Sequence, residues 1–353
     1  DESDIAAYRV CLGNAGAPCT TADEAIDAGT HELALPGVAL IDATAYVWTV
    51  TATNGLGLTT AAYSNGFTTD LSAPTTASVS VIESLDVNAN VDTAVDIDVM
   101  SDNSYVVAAW AGFNDGDAGS GIHHFEVTVG STPGGDEWDL AVSVDADVAS
   151  YVFDGLSELV ASSETVYASV AAVDNVGLRS AAATGDGVVV DLTPPVASGI
   201  AAVLDGVTDT ASTDVDLTSS VVVSAAWDAF EDAESGVTQY EVRVRDVTDG
   251  VELLAWTSLG VETTFTNHAL GLKDGHTFVV GVRATNGAGL SAAIESDGFI
   301  VDTTAPSIGF CLDGGDIRAG DTDIDGVFDG VSASWYGQVD EEGPIVGYTW
   351  CVG

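Results

Sequence analysis

The chain has 353 residues and sets 7 Lys+Arg against 55 Asp+Glu, a formal net charge of −48. Too few basic residues remain to release counterions from phosphate, which excludes a nucleic-acid binder, and an anionic membrane surface would repel the chain. A 46% hydrophobic share argues against charge-driven disorder, and no apolar run approaches the roughly 18 residues that span a bilayer.

Residues 1–13 open on an acidic turn (Asp1/Glu2) and a strand marked by Ile5 and Tyr8. Cys11 and Cys19 flank a Gly/Pro turn, the arrangement of a hairpin staple. Residues 46–54 (Y-V-W-T-V-T-A-T-N) alternate with period two, which is half-buried antiparallel strand and not helix. A turn at Gly57-Leu58 closes that strand. The block at 64–74, S-N-G-F-T-T-D-L-S-A-P, then predicts a final strand running into a short connector, because proline cannot donate to a ladder.

That block returns at 185–195 (G-D-G-V-V-V-D-L-T-P-P) and at 296–306 (S-D-G-F-I-V-D-T-T-A-P). The period is about 110–120 residues, the size of a two-sheet sandwich. Each period carries a Trp early on (Trp110, Trp227 and, more loosely, Trp335), predicted to fill a core. An acidic turn follows it: Asp115/Asp117, Asp232/Glu234, Asp340/Glu341/Glu342. Next comes a strand with an aliphatic residue and an aromatic three later: Ile122/Phe125, Val237/Tyr240, Ile345/Tyr348. Residues 278–286 match 46–54 position for position. The division expected is therefore 1–69, the C-terminal part of a β-sandwich repeat; 70–190 and 191–301, complete repeats; and 302–353, the N-terminal part of a further one. The native polypeptide is expected to continue past both ends.

An early-strand Trp, a Tyr three residues after an aliphatic and a late strand Y-x-x-x-V-x-A-x-N resemble the fibronectin type III module. More closely, the chain resembles the fibronectin-III/immunoglobulin-like repeats of very large extracellular surface proteins, with their D-T-T-x-P linkers and S-G-I-x-x-Y-E strand. Ser120-Gly121-Ile122 with Phe125-Glu126, and Ser235-Gly236-Val237 with Tyr240-Glu241, carry the latter motif. Val166 stands where Tyr46 and Phe278 do, so a tyrosine-corner hydrogen bond is expected only at Tyr46. The resemblance implies an all-β fold of tandem antiparallel β-sandwiches arrayed end to end. It implies a spacer, adhesive or filament-building role, and no catalytic residues.

Metal is the first candidate chemistry. Asp321, Asp323, Asp325 and Asp329 have calcium-loop spacing with Gly326 at the sharp turn, but Ser332 stands where an EF-hand needs Glu. The central D-[IV]-D recurs as Asp96/Asp98 and Asp214/Asp216, ahead of each Trp, and these eight acids are the candidate Ca²⁺ ligands. Divalent ions or high salt would relieve the self-repulsion of so acidic a chain. Paired carboxylates in the acidic turns could serve glycoside hydrolysis only with one raised pKa in a cleft, and a turn repeated four times reads as scaffold. Cys11 is expected to bond Cys19. Cys311 is expected to bond Cys351, unless Cys351 uses a cysteine beyond Gly353. Disulfides fit an oxidising, extracellular site. His123 and His124, adjacent on a strand, are expected on opposite faces and so not to form a ligand pair. The function expected is structural and non-enzymatic: a module of a large, secreted, acidic cell-surface protein forming a stalk, fibril or filament, with further copies of the repeat as partners. The rival is a calcium-dependent adhesin that grips a carbohydrate or protein ligand.

Overall fold

The computed structural model describes residues 4–14, 17–197, 203–205, 214–314 and 330–351. The loop acids Asp321, Asp323, Asp325 and Asp329 lie outside them. The chain is all-β, its strands paired antiparallel except for one short parallel pair in each complete repeat, with one 3₁₀ turn (Leu156–Glu158) among the described residues. It divides into two compact units, Asp1–Val190 and Asp191–Gly353.

The first unit begins with a five-stranded sheet ordered Ala17–Asp27, Ile5–Asn14, Ala45–Asn54, Thr59–Tyr63, with Phe67–Thr68 also on Ala45–Asn54. Tyr46 is 1% exposed, and its hydroxyl accepts the Ile41 N–H at 2.9 Å, the expected corner. The sandwich that follows packs two sheets face to face. One contains Tyr105–Ala111 between Ser80–Ser84 and Ser150–Asp154. The other is centred on Ile122–Gly130 and Thr165–Asp174. Alternate residues of both sheets interdigitate: Val106, Ala108 and Trp110 meet Phe125, Val127, Val129, Val166, Ala168 and Val170. Trp110 is 2% exposed and sets its edge on Phe125, ring centroids 5.5 Å apart.

The second unit repeats this plan. Val223–Ala226 lies between Leu204–Asp205 and Thr264–Asn267, opposite a sheet centred on Val237–Asp246 and Thr277–Asn286. Trp227, at 6% exposure, meets Tyr240 at 5.8 Å within a core that includes Val242, Val244, Phe278, Val280, Val282 and Phe299.

Two expectations need correction. Trp335 is 44% exposed, because its strand Ala333–Tyr336 pairs only with Phe310–Asp313 and no second sheet covers it among the described residues. His123 and His124 do not diverge: their Nδ1 atoms are 2.8 Å apart. Ile122 and His124 oppose successive residues Asp174 and Val173, so His123 is the extra residue of a β-bulge and the alternation breaks there. The same irregularity falls between Ile5 and Ala7 and between Val237 and Gln239.

Candidate metal centres

The D-x-D segments owe their position to the last strand of each sandwich. Just after Asp98, Val99–Met100 runs parallel to Val188–Val190, and the Asp98 carbonyl accepts the Val189 N–H at 2.9 Å. Leu217–Thr218 runs likewise beside Phe299–Val301, with the Asp216 carbonyl accepting Ile300 N–H at 2.8 Å. On the other side the segment is tied to the first strand. Asp96 Oδ1 accepts the Glu83 N–H at 3.1 Å, and Asp214 Oδ1 accepts the Asp205 N–H at 3.2 Å. Ile97 N–H and Val215 N–H return to the carbonyls of Glu83 and Asp205.

This threading gathers three carboxylates per repeat, each offering an oxygen within 4.8 Å of the others: Glu83, Asp96 and Asp186 in one, Asp205, Asp214 and Asp297 in the next. Asp186 and Asp297 come from the same place in the connector block, G-D-G and S-D-G. In both sets one acid is buried and two are exposed. Of the predicted ligands, Asp96 and Asp214 are therefore in the clusters. Asp98 and Asp216 are not among these ligand sets; their main chains serve the sheet and their side chains are exposed.

Glu83 and Asp205 were not predicted. Glu83 has no solvent exposure; its Oε1 accepts the Ala168 N–H at 2.8 Å, while Oε2 is buried without a hydrogen-bond partner. Burial pushes the carboxyl up to about 7, reinforced by Asp96 and Asp186 against the pull of the Ala168 and Gly187 N–H groups. Asp205 is 1% exposed and neither of its oxygens meets hydrogen-bond geometry. Burial and the charges of Asp214, Asp297 and Asp216 raise it to about 7, although the Ser296 hydroxyl pulls the other way. Asp96 is raised too, by desolvation first and then by its acidic neighbours. A buried carboxylate oxygen with two further carboxylates in front of it and no donor at hydrogen-bond geometry is an oxygen-rich site for a hard cation. A β-carbon on Gly185 would fall 2.3 Å from Glu83 Oε2, so the chain leaves that side of the pocket bare.

A further acid group, Asp246, Asp249 and His276, already has its counter-charge: Lys273 pairs with Asp249, and His276 Nδ1 lies 2.9 Å from Asp246 Oδ2.

Cys11 and Cys19 stand at disulfide distance, with Cα atoms 4.8 Å apart. Cys11 opposes Asp23 in the ladder, and an irregularity between Leu12 and Asn14 brings Cys19 back toward it. Cys311 and Cys351 are exposed and unbonded, in contrast to the pairing expected, although both line one depression with Trp335, Tyr348 and Trp350. Cys311 is held in the ladder opposite Trp335, whereas Cys351 lies outside any strand.

No protein-family profile matches the chain, and no curated protein does. Among the described residues no helix is long and apolar enough to cross a membrane. Solved structures similar to the chain include the FN1–FN3 domains of chicken CNTN1, with 16% identity over 84% of this chain and 90% of that one, TM-score 0.29. The fibronectin(III)-like modules of Clostridium thermocellum CbhA share 12% identity over 64% and 94%, TM-score 0.32. A 1.5-MDa bacterial ice-binding adhesin shares 15% identity over 85% and 88%, TM-score 0.42.

Proposed function

We propose that the chain is a structural module of a large, secreted, acidic cell-surface protein. In this reading it is an array of fibronectin type III/immunoglobulin-like repeats (1–69, 70–190, 191–301, 302–353) that forms a stalk, fibril or filament. Ca²⁺ on the carboxylate clusters holds the repeats rigid. The observation that carries the reading is the duplication itself. Two complete cores follow one another along the chain, and each rebuilds the same acid triad at the same place. A binding or catalytic function needs its site once, whereas a load-bearing one needs it in every repeat.

The connectors support the same reading. Asp42, four residues before Tyr46, accepts the Leu71 N–H at 2.7 Å. Asp274, four before Phe278, accepts the Thr303 N–H at 2.5 Å. These two connectors are thus fastened to the strand-entry loop of the repeat they leave, which stiffens them relative to a free linker. Trp335, Tyr348 and Trp350, exposed around one depression, favour the second reading, an adhesin whose aromatics stack on a glycan. Negative-stain microscopy of the native protein tests the proposal. Thin extended stalks or filaments are expected, and a compact particle would overturn it.

A further inference from the structure

A second acidic group sits where each complete sandwich meets its incoming connector, on residues unconnected with the D-x-D clusters. In the first complete repeat, Asp70 of the connector, Asp115 of the acidic turn and Asp174 at the end of Thr165–Asp174 bring carboxylate oxygens within 4.8 Å of one another. In the next repeat the same three places hold Asp191, Asp232 and Asn286, with Glu234 offering a third carboxylate oxygen within 4.8 Å of those of Asp191 and Asp232.

The local hydrogen bonds of the two places correspond. Asp70 Oδ1 accepts the Ser72 N–H at 3.3 Å, and Asp191 Oδ1 accepts the Thr193 N–H at 3.1 Å. Asp115 accepts the Gly121 N–H at 2.6 Å, and Asp232 accepts the Gly236 N–H at 2.9 Å. Asp174 Oδ1 takes the turn N–H groups of Val176 and Leu178 at 2.9 and 2.8 Å, as Asn286 Oδ1 takes that of Leu290 at 2.8 Å. With Oδ1 pinned to the turn, the other terminal atom of the side chain is aimed into the group.

That atom decides the chemistry. In Asn286 it is Nδ2, which donates to Asp191 Oδ2 at 2.8 Å, Asp232 Oδ2 at 3.0 Å and the Thr193 carbonyl at 2.9 Å. One amide thus ties the two carboxylates together. In Asp174 it is Oδ2, which has no proton to give. Asp174 is 2% exposed and this oxygen is buried without a partner, as is Asp115 Oδ1. Among the described residues no Lys, Arg or His pairs with any of the three acids. The Ser120 N–H reaches Asp70 Oδ2 at 2.6 Å and the Gly121 N–H reaches Asp115. No donor reaches Asp174 Oδ2, however, and no cationic side chain offsets the three carboxylates, which calls for a positive charge where Asn286 places its amide.

We propose that Asp70, Asp115 and Asp174 form a Ca²⁺ site, and that Asn286 is the built-in substitute for that ion in the following repeat. The donors are all hard oxygens in an irregular arrangement, which suits Ca²⁺ better than the strict octahedron of Mg²⁺. This site is independent of the Glu83 and Asp205 clusters, and its test separates the two.

The full chain is titrated with CaCl₂ alone by calorimetry at constant ionic strength, and melted with and without EDTA. Asp174→Asn should bind one ion fewer than the wild type and melt in EDTA no lower than it does. Asn286→Asp should bind one ion more, melt lower in EDTA and recover with CaCl₂. An Asp174→Asn protein with the wild-type ion count overturns this site alone and leaves the D-x-D clusters standing. A wild-type chain that binds no calcium overturns both. Should Asp174→Asn fail to fold, Asn286→Asp decides: a loss of stability that calcium does not restore overturns the proposal.

Discussion

Trp110→Ala and Trp227→Ala should each destabilise their own sandwich by about 3–5 kcal/mol, the cost of emptying a large aromatic site that cannot collapse. Both indoles are almost wholly buried, at 2% and 6% exposure, and each meets the aromatic of the facing sheet (Phe125, Tyr240) edge-on. Removing the ring takes away the contact that joins the two sheets and exposes the Val-rich face behind it. Trp335→Ala, at a site 44% exposed on a two-stranded sheet, should cost under about 1 kcal/mol, as surface substitutions do. Chemical denaturation of the full chain reads this out as a shift of one transition for each core variant. Equal effects of the three substitutions would contradict the assignment of the cores.

The second large effect is in pH. In metal-free buffer the two complete repeats should lose stability as pH rises from about 5 to 8. Glu83 and Asp205 have folded-state values of about 7, above the ordinary carboxylate range near 4. Between those limits the folded chain holds protons that the unfolded chain has released, so the contribution of these two groups falls with rising pH and is gone above about 7. The carboxyls that folding shifts down, such as Asp42, Asp70 and Asp274, each held low by a side-chain hydrogen bond, act in the opposite sense. Their contribution disappears only below about pH 4, outside this window. The loss should be roughly 1–3 kcal/mol per repeat. Glu83→Gln and Asp205→Asn, which cannot ionise, should flatten the profile of their own repeat. A wild-type stability that is constant from pH 5 to 8, or variants that keep the wild-type slope, would show that the two acids do not face an apolar, uncompensated environment.

Much of this architecture was legible in one dimension because it repeats. Period-two alternation at 46–54 and 278–286 marks strands whose faces are set by the pleat, and Trp110 and Trp227 recur at one distance from the acidic turn. Tyr46 could be singled out because its neighbours in the other repeats, Val166 and Phe278, lack a hydroxyl. The D-x-D segments pointed to one of the three acids in each cluster. The other two were hidden by long-range geometry. Glu83 lies in the short strand Ser80–Ser84, more than a hundred residues before Asp186, and only the assembled sandwich closes that distance. The signal was there in the recurring second position of the connector block, Asp186 and Asp297, which reads as turn chemistry until the sheet is assembled. His123 misled for a local reason, since a bulge reverses the face rule at a single residue. Trp335 misled for a global one: a residue's burial depends on a facing sheet that its own strand does not encode.

Calcium at pH 8 tests the central claim, that the carboxylate clusters of the repeats are cation sites, most directly. The full chain, freed of metal by chelation, is melted at constant ionic strength with and without CaCl₂, beside the Glu83→Gln/Asp205→Asn double variant. An ion that binds only the folded state adds about 2.7 kcal/mol at a hundredfold excess over its dissociation constant. The wild type should therefore gain several degrees, and the double variant should lose the larger part of that gain. A wild type indifferent to calcium, or a double variant that gains as much as the wild type, would mean that the clusters are solvated acids and that salt screening alone steadies the protein.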